Sequence, residues 1–518
     1  MPKLRVDGQE IEVAPGATLL TAASRVGVTI PTLCWRDGYD CSTSCMACAV
    51  KVAGRSRLLP ACATPAEEGM EVTTGDEEVQ RFRREVLELL LSEHTGDCEG
   101  PCRLTCPAHL DIPLLLRAIE RGDWTAAQAL AQEALVLPET LGLVCPAPCE
   151  KACRRAQHDA AVAIRDLHRS AAWRQRQAGS SPAPASPPPR LGPPVTIVGA
   201  GPAGLAAAAW LARRGYRCTV IDERSEPGGR LRFGVGGDRL PATVVAADVA
   251  AIVALGVEFR LGVHLGSSAD LEHWRGQSAA LLLAVGAASD VARLGLAMTA
   301  AGVQVERGTA MTSVAGVFAA GGVVREIKHM AVRAVAQGKA AALSLDHWLH
   351  GAATTRPEPV NVSLGHLRPG ELARFLAAGN PAARLATTGS APLSDALASV
   401  EAARCLHCDC RAARTCGLRR VASQCGAVPN RWHNTRRDIV QETTHAEVIY
   451  EPGKCIDCGL CIQAAARGGE RFGTTFLWRG INVRVGVPLG ETLAAALTTP
   501  AATCVALCPT GALAWKRD

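Results

Sequence analysis

The sequence predicts a multidomain protein of α/β and α+β fold. Its 518 residues are more than a single hydrophobic core usually organises. The 22 cysteines fall mostly in C-x2-C or C-x3-C pairs. Between two cysteine-rich regions, a strand–glycine–helix pattern opens an α/β stretch. These changes of pattern divide the chain into segments 1–78, 79–177, 178–194, 195–350, 351–430 and 431–518.

The composition excludes several classes of function. The formal net charge is only +6, no block is dense in Lys or Arg, and aromatic residues make up 4%, which argues against nucleic-acid partners. No apolar run reaches the roughly 18 residues of a membrane span, and the N-terminus does not read as a signal peptide. We therefore expect a cytoplasmic protein without a membrane span. Clustered cysteines in such a chain indicate metal rather than disulfides, and their spacing is typical of iron–sulfur rather than zinc sites.

Segment 1–78 reads as a strand, a turn at Asp7-Gly8, a second strand and a helix. Four of its cysteines have the spacing C-x10-C-x2-C-x13-C, namely Cys34, Cys45, Cys48 and Cys62. Together these features resemble the β-grasp [2Fe–2S] domain of the large iron–sulfur subunit of complex I and of bidirectional hydrogenases. The resemblance implies one [2Fe–2S] cluster on these four thiolates. An exchange of Cys45 for Cys41 stays open, as does a zinc site or a set of free thiols.

Segment 79–177 has the apolar spacing of helices, as in "IPLLLRAIERGDWTAAQALAQEAL". Its motifs "LDI", "RGDW", "VCPAPCE" and "AVAI" resemble the N-terminal helical domain of the glutamate synthase small subunit and of dihydropyrimidine dehydrogenase, which holds two [4Fe–4S] clusters. The resemblance assigns Cys98, Cys102 and Cys153 to one cluster. It assigns Cys106, Cys145 and Cys149 to the other.

Each of these two sets is one ligand short, and a histidine is the candidate in both. His94 stands ahead of Cys98, where the family has a cysteine. The large subunit of complex I also binds a cluster through one His and three Cys just after its [2Fe–2S] domain, which favours His94. The family's second cluster takes a non-cysteine ligand from the following helix, and the aligned residue is His168. The alternative is that both histidines are ordinary surface or core residues.

After the Pro/Ser-rich linker at 178–194, segment 195–350 opens with "VTIVGAGPAGLAAAAWL". This is a strand, a G-x-G-x-x-G turn and a helix, and an acid ends the next strand, an arrangement that binds a dinucleotide pyrophosphate and ribose. The following "SEPGGRLRFGVGG" and the later "TSVAGVFAAGG" resemble the FAD domain of the glutamate synthase small subunit. The resemblance implies FAD bound by Gly199, Gly201, Gly204, Asp222, Gly228, Gly229, Arg230 and Gly321.

Two departures from that family stand out. Between its two FAD parts the family inserts a second Rossmann domain for NAD(P)H, whereas barely two dozen residues stand here, fewer than one βαβ unit needs. The chain should therefore have no hydride donor site of its own. The family's closing Gly-Asp, whose Asp holds the ribityl chain of the flavin, reads Gly321-Gly322 here. The alternative to bound FAD is a domain that keeps the fold of a flavin site but binds no flavin.

Segment 431–518 carries a two-cluster ferredoxin pattern that has lost one cluster. Ala465, Thr498 and Ala501 stand at cysteine positions of that pattern, and Cys504 is left over. The surviving ligands make one complete [4Fe–4S] set: Cys455, Cys458, Cys461 and Cys508.

Segment 351–430 contains a further cysteine-rich stretch, "RCLHCDCRAARTCGLRR". It offers Cys405, Cys408, Cys410 and Cys416, with His407 as a spare ligand. These residues predict a further [4Fe–4S] site or a zinc knuckle, and an unmetallated loop stays open. Cys218 and Cys425 are expected to be structural thiols.

The sequence shows no nucleophile–base pair, no paired carboxylates and no substrate-pocket signature. A flavin combined with several iron–sulfur clusters suits electron transfer between two-electron and one-electron carriers. We therefore expect an oxidoreductase: an electron-transfer flavo-iron–sulfur subunit of a larger cytoplasmic complex, whose partner is a catalytic subunit of hydrogenase or formate dehydrogenase type. One alternative is a self-contained FAD/iron–sulfur enzyme acting on a small substrate or ferredoxin. Another is a redox-sensing or assembly scaffold.

Overall fold

A computed structural model describes residues 1–177, 189, 192–287, 289–325, 330–352, 359–377, 379–385, 391–432 and 436–516. Most of the predicted linker at 178–194 lies outside these described residues. The chain forms two compact units, each built from separate stretches of sequence. The first comprises Met1–Gly100, Pro357–Ala378 and His407–Asp518, and the second comprises Pro101–Arg356 and Gly379–Leu406.

The N-terminal part of the first unit is a five-stranded mixed sheet of order β2-β1-β5-β3-β4. Its first hairpin turns at Asp7 and Gly8, whose φ angles of 48° and 82° give the twist that a tight hairpin needs. The helix α1 begins at Thr18, whose hydroxyl accepts a hydrogen bond from the amide of Thr21. The elements are β1 (Lys3–Val6), β2 (Gln9–Glu12), α1 (Leu19–Arg25), β3 (Ala49–Val52), β4 (Leu59–Pro60), β5 (Glu71–Thr73) and α2 (Glu77–Glu93).

The second unit begins with short helices that pack through apolar faces. On α4 the apolar residues recur at helical spacing and are buried, as at Ile112, Leu115 and Ile119. The carboxylate of Asp123 caps the next helix by accepting a hydrogen bond from the amide of Ala126 at 3.0 Å. The elements are α3 (Pro101–Thr105), α4 (Ile112–Glu120), α5 (Trp124–Leu135), α6 (Pro138–Val144), α7 (Pro148–Lys151) and α8 (Ile164–Gln177).

The α/β part of the second unit is a parallel sheet of order β12-β9-β6-β7-β8. This confirms the predicted α/β fold with a Rossmann-like sheet. The elements are β6 (Pro194–Val198), α9 (Pro202–Ala212), β7 (Arg217–Asp222), α10 (Arg230–Phe233), α11 (Ala242–Ala254), β8 (Glu258–Leu261), α12 (Ser268–Gly276), β9 (Ala280–Leu283), β10 (Met298–Thr299), β11 (Gly302–Val303), β12 (Val317–Ala319) and α13 (Ala331–Leu349).

The described stretch between β9 and β12 is small. It contains a 3-10 turn, Ser289–Leu294, and the two-residue strands β10 and β11, which pair with each other. No second parallel sheet occurs among the residues that the structure describes.

In the C-terminal stretch, β13 pairs antiparallel with β16, β14 pairs antiparallel with β15, and α17 packs on α19. The helix α15 (Asp395–Ala402) belongs to the second unit, and the other elements of this stretch belong to the first. The elements are α14 (Glu371–Leu376), α15 (Asp395–Ala402), α16 (Gly417–Gln424), β13 (Val448–Tyr450), α17 (Leu460–Arg467), β14 (Thr475–Leu477), β15 (Arg484–Gly486), α18 (Leu493–Ala496), α19 (Ala501–Leu507) and β16 (Leu513–Trp515). Within the described ranges, no helix is long and apolar enough to cross a membrane.

Candidate metal and cofactor centres

The N-terminal domain brings its predicted thiols together. The pairing of β3 with β4 places Cys48 beside Cys62, with 3.2 Å between the two Sγ atoms. The thiols of Cys34 and Cys45 are hydrogen-bonded to each other. All four side chains are at most 3% exposed. Cys41 is less buried, and its Sγ lies 3.0 Å from that of Cys62.

These thiols share protons in a way that suits metal binding. Hydrogen bonds from the thiols of Cys45 and Cys62 lower the pKa of Cys34. The same contacts raise the pKa of Cys45 and of Cys62. Since iron binds thiolates, it would replace the shared protons of such a group. The donor set therefore fits a [2Fe–2S] cluster on the predicted residues, with Cys41 close enough to remain an alternative ligand.

The four predicted C-terminal ligands line one small cavity. Cys455, Cys458, Cys461 and Cys508 all face it, together with apolar residues such as Leu460. Burial, together with the charge of the neighbouring Cys508, raises the pKa of the Cys458 and Cys461 thiols to about 12. A cluster that carries positive iron charge would relieve this repulsion. The cavity and its thiols therefore fit one [4Fe–4S] cluster.

The position of the lost ferredoxin cluster is filled by apolar packing. Ala465 and Ala501, which stand where the pattern has cysteines, belong to a buried core with Leu493 and Leu497. Cys504 is completely buried in the same core, and its Sγ contacts the carbonyl oxygen of Cys461 at 3.6 Å. Apolar side chains and one buried thiol thus occupy the positions where the pattern has ligands of a second cluster.

The [2Fe–2S] site and the C-terminal site are neighbours within the first unit. The hydroxyl of Ser42 donates a hydrogen bond to the carbonyl oxygen of Cys458 at 2.7 Å. The amide of Asp40 donates to Oε1 of Gln463 at 2.8 Å, and its carbonyl accepts from Nε2 of the same side chain at 2.9 Å. The charge of Cys34 contributes to the raised pKa of Cys458. Sequence spacing gave no sign of this contact, because the two loops are distant in the chain.

In the second unit, Cys106, Cys145 and Cys149 lie near one another. Burial raises the pKa of the Cys145 thiol, and the charge of Cys106 adds to that effect. Burial raises the pKa of Cys149 in the same way, again with a contribution from Cys106. Burial raises the pKa of the Cys106 thiol as well, and hydrogen bonds from the backbone amides of Leu110 and Ala108 oppose that rise. These three residues fit the predicted set.

The two predicted histidine ligands differ in their surroundings. His168 is 5% exposed on α8, and its Nδ1 has no hydrogen-bond partner among the residues that the structure describes. A buried imidazole nitrogen without a partner is suited to bind a metal. Burial lowers the pKa of His168 to about 4, so the ring is neutral. His94 follows the last residue of α2, and burial together with the charge of Lys454 lowers its pKa to about 3.

The remaining cysteines are divided between the two units. Cys98 lies in the first unit with Cys408, Cys410 and Cys416. Cys102 and Cys153 lie in the second unit with Cys405, and α3, which carries Cys102, packs on α7. Among the described residues, no group of three or more His, Cys, Asp or Glu side chains is arranged to hold a single metal ion. The ligands of an iron–sulfur cluster surround several irons, so they need not meet around a single point. The unit to which a cysteine belongs is therefore a better guide to its cluster than a search for a single-ion site.

The parallel sheet carries a cavity of about 520 Å³ at the carboxyl end of β6, where the strand order reverses. Of the predicted flavin ligands, five line it: Gly199, Gly201, Asp222, Gly229 and Arg230. The carboxylate of Asp222 accepts hydrogen bonds from the amides of Ala200 at 2.6 Å and Arg224 at 2.9 Å. These bonds fix the glycine turn and the acid that follows the next strand.

The other predicted glycines shape the backbone around this cavity. A Cβ at Gly204 would collide with the carbonyl oxygen of Gly199, so glycine is needed where α9 meets β6. A Cβ at Gly228 would lie 2.9 Å from Val245. Gly321 has a φ of 81°, and Gly322 lines the cavity without a side chain. The cavity has the size and the glycine-lined wall that a dinucleotide needs.

Three family models match the chain. Residues 2–77 match a 2Fe-2S iron-sulfur cluster binding domain, residues 91–180 match dihydropyrimidine dehydrogenase domain II with its 4Fe-4S cluster, and residues 197–257 match an NAD(P)-binding Rossmann-like domain. These matches confirm the predicted resemblance to the glutamate synthase small subunit and dihydropyrimidine dehydrogenase.

Several curated proteins are similar over part of their length. The beta subunit of the NADPH-Fe(3+) oxidoreductase of Geobacter sulfurreducens is 37% identical over 190 residues, which is 36% of this chain and 28% of that protein. The beta subunit of the NADP(+)-dependent formate dehydrogenase of Moorella thermoacetica is 36% identical over 210 residues, which is 36% of this chain and 29% of that protein. The PreT subunit of the NAD-dependent dihydropyrimidine dehydrogenase of Escherichia coli is 33% identical over 193 residues, which is 37% of this chain and 46% of that protein. The matched region is less than half the length of each relative.

Proposed function

We propose that the chain is an electron-transfer subunit of a larger cytoplasmic oxidoreductase, carrying electrons between a partner protein and FAD. The relatives are oxidoreductase subunits, which supports this class of function. The cofactors of the proposal are FAD, one [2Fe–2S] cluster, two [4Fe–4S] clusters in the helical segment and one in the C-terminal segment. A catalytic subunit of hydrogenase or formate dehydrogenase type is the partner that we infer.

The observation that carries the proposal is the contact between two candidate centres in the first unit. The Ser42 hydroxyl binds the carbonyl of Cys458 at 2.7 Å, so the loop that holds one thiol group directly touches the loop that holds the other. Gln463 fixes the same loop through two hydrogen bonds with the backbone of Asp40. A rigid, direct contact of this kind keeps two redox groups at a constant short separation, which electron transfer requires.

In the second unit, the candidate flavin cavity likewise lies next to a group of candidate cluster ligands. Val144 lines the cavity at the glycine turn, and the next residue, Cys145, belongs to the group with Cys106 and Cys149. FAD, when bound, supplies the conversion between two-electron and one-electron chemistry. The chain's own part is to hold the pyrophosphate on the amides of the glycine turn and the ribose near Asp222. Because the described residues include no second nucleotide-binding sheet, the electrons of the flavin are expected to come from or go to a partner.

Electron paramagnetic resonance tests the central contact. In the fully reduced chain, the [2Fe–2S] signal should relax fast and broaden through magnetic coupling to the C-terminal cluster. The variant Cys458→Ala should lose that cluster and leave a slowly relaxing [2Fe–2S] signal of unchanged intensity. Cys218→Ala, a buried thiol on β7, is the matched control and should behave like the wild type. An identical relaxation rate in Cys458→Ala and wild type would contradict the proposed relay.

A further inference from the structure

Within the cysteine-rich stretch 405–416, Cys410 contacts Cys98, which belongs to the same unit. The backbone amide of Cys410 donates a hydrogen bond to the carbonyl oxygen of Cys98 at 3.3 Å. Both residues belong to the first unit, and both are buried, at 8% exposure for Cys98 and 6% for Cys410. This contact places two cysteines from distant parts of the chain in the same interior.

Cys416 joins the same interior at the start of α16. The amide of Leu418 donates to the carbonyl of Pro509 at 3.1 Å, which fixes the first turn of this helix. The Sγ of Cys416 accepts a hydrogen bond from the amide of Arg419 at 3.4 Å, and the Sγ of Cys98 accepts one from the amide of Val362 at 3.4 Å. Amide donors directed at sulfur stabilise thiolates, the form that binds iron.

The three sulfurs are within electrostatic range of one another. Cys416 packs against the same apolar cluster as Cys98. Burial, together with the charges of Cys410 and Cys98, raises the pKa of Cys416 to about 12. Burial likewise raises the pKa of Cys98, with Arg419 opposing it and Cys410 adding to it. Positive charge is supplied nearby by Arg419 and Lys454. Two buried thiols, Cys98 and Cys410, and the half-buried thiol of Cys416, with cations and amide donors nearby, have the character of a metal site.

Gly511 shows how closely Cys410 is packed in this interior. A Cβ at position 511 would collide with the Sγ of Cys410. The φ of Gly511 is not in the left-handed region, so the backbone conformation does not by itself require glycine there. The absence of a side chain is explained by the space that the sulfur takes.

Cys405 lies in the second unit, with Cys153. Burial raises the pKa of the Cys153 thiol, and the charge of Cys405 contributes. The residue before Cys405 is Arg404, which is fully buried and donates hydrogen bonds to Glu401 at 2.9 Å and to Asp159 at 2.9 Å. Arg155 also binds Asp159, with Nε at 2.7 Å from the carboxylate. This network ties the peptide of Cys405 to the loop that follows Cys153.

We propose that the cysteines of stretch 405–416 belong to two different clusters. Cys98, Cys410 and Cys416 are three ligands of a [4Fe–4S] cluster in the first unit, and Cys405 shares the ligand set of Cys153 in the second. The inference rests on the proposed function only in that the chain binds iron–sulfur clusters. It replaces the sequence-based assignments, in which Cys98 shares a cluster with Cys153 and Cys405 shares one with Cys410 and Cys416.

Paired double variants of the full chain, purified anaerobically, distinguish the two assignments. Cys98→Ala/Cys416→Ala should lose one cluster, about four irons, and leave the other four-iron signals unchanged. Cys98→Ala/Cys153→Ala should damage two clusters. Cys218→Ala should lose no iron. Iron analysis and the spectrum of each reduced cluster are the readouts, and the [2Fe–2S] signal reports that the chain is folded. The reverse pattern, with one cluster damaged by Cys98/Cys153 and two by Cys98/Cys416, overturns the inference.

A milder variant covers the case in which the double variants do not fold. Gly511→Ala should alter the spectrum of the cluster that Cys98→Ala alters, and leave the cluster that Cys153→Ala alters as in the wild type. Gly276→Ala, where a Cβ meets nothing within 4 Å, is its control. If Gly511→Ala changes the Cys153 cluster instead, the inference is wrong while the proposed function stands. A wild-type chain that holds no four-iron cluster after reconstitution overturns both.

Discussion

Asp248 is a buried carboxylic acid in the α/β part of the second unit. It lies on α11, is 6% exposed, and accepts a hydrogen bond from the amide of Thr140 at 2.8 Å. Burial raises its pKa to about 7 from 3.8, and the charge of Glu139 acts in the same direction. Between these two values the folded chain therefore holds a proton that the unfolded chain has released. The stabilisation is fully present below about pH 4 and is lost as the pH rises through 7.

Asp248→Asn should remove this dependence on pH. At pH 8 the variant should have a higher free energy of unfolding than the wild type, by on the order of 1.4 kcal/mol for each unit between the two pKa values. It should therefore also unfold at a higher temperature. The difference should shrink toward pH 4. Thermal unfolding at several pH values measures it, with the exposed Asp238→Asn as the control. A constant difference between Asp248→Asn and wild type at all pH values would contradict the assignment.

Glu401 is a fully buried carboxylate with three donors. The amides of Ala163 and Leu385 each donate to it at 2.8 Å, and Arg404 donates at 2.9 Å. Glu401→Ala leaves the buried Arg404 guanidinium without one of its two carboxylate partners, which should cost about 3–5 kcal/mol of unfolding free energy. Glu272→Ala breaks an exposed pair with Arg275 and should change the unfolding free energy by less than about 1 kcal/mol. Equal effects of the two substitutions would show that the buried network does not anchor this stretch.

At the scale of elements, the packing of α9 on α13 depends on a single glycine. A Cβ at Gly338 would collide with the carbonyl oxygen of Ala203, in the first turn of α9. Gly338→Ala should therefore move the two helices apart next to the glycine turn, lowering the unfolding free energy by about 1–3 kcal/mol and the flavin content with it. Gly276→Ala, at the last residue of α12, should leave both unchanged. Flavin content that stays equal to wild type in Gly338→Ala would contradict this role.

The elements that the sequence predicts well are those whose signals are local. The turn at Asp7-Gly8, the glycine turn before α9 and the acid at the end of β7 all follow from a few adjacent residues. The hairpin of β14 and β15 was not predicted, because its strands have three residues each and no marked alternation. The stretch 351–400 gave little signal. Two of its described residues nevertheless take part in packing, since Val360 and Val362 lie in the same apolar cluster as Cys98.

The candidate sites divide in the same way. Cysteines that act together within one motif, such as Cys455, Cys458 and Cys461, were found from their spacing and line one cavity. The approach of Cys410 to Cys98 could not be predicted, because it depends on hydrogen bonds between backbones that are distant in sequence. The inference for Cys405 departs from proximity along the chain, because the ion pairs of the preceding residue, Arg404, tie this peptide to Asp159 and Glu401.

At the scale of the whole molecule, each compact unit has its own candidate centres. The first unit contains the thiols of the [2Fe–2S] domain and of the C-terminal domain, held in contact by Ser42 and Gln463. The second contains the glycine-lined cavity and the helical thiols around Cys106. The described residues add no second nucleotide-binding sheet. We propose that such a chain exchanges its electrons with another protein.

Anaerobic redox titration of the isolated chain tests that claim most directly. The chain would be titrated in turn with NADH, NADPH and dithionite, with visible absorbance and paramagnetic resonance recorded and flavin and iron assayed. We expect dithionite to reduce a flavin and several clusters, and both nicotinamides to leave the spectrum unchanged. Bleaching of the isolated chain by NADH or NADPH would contradict the account and show that the chain has its own site for a hydride donor.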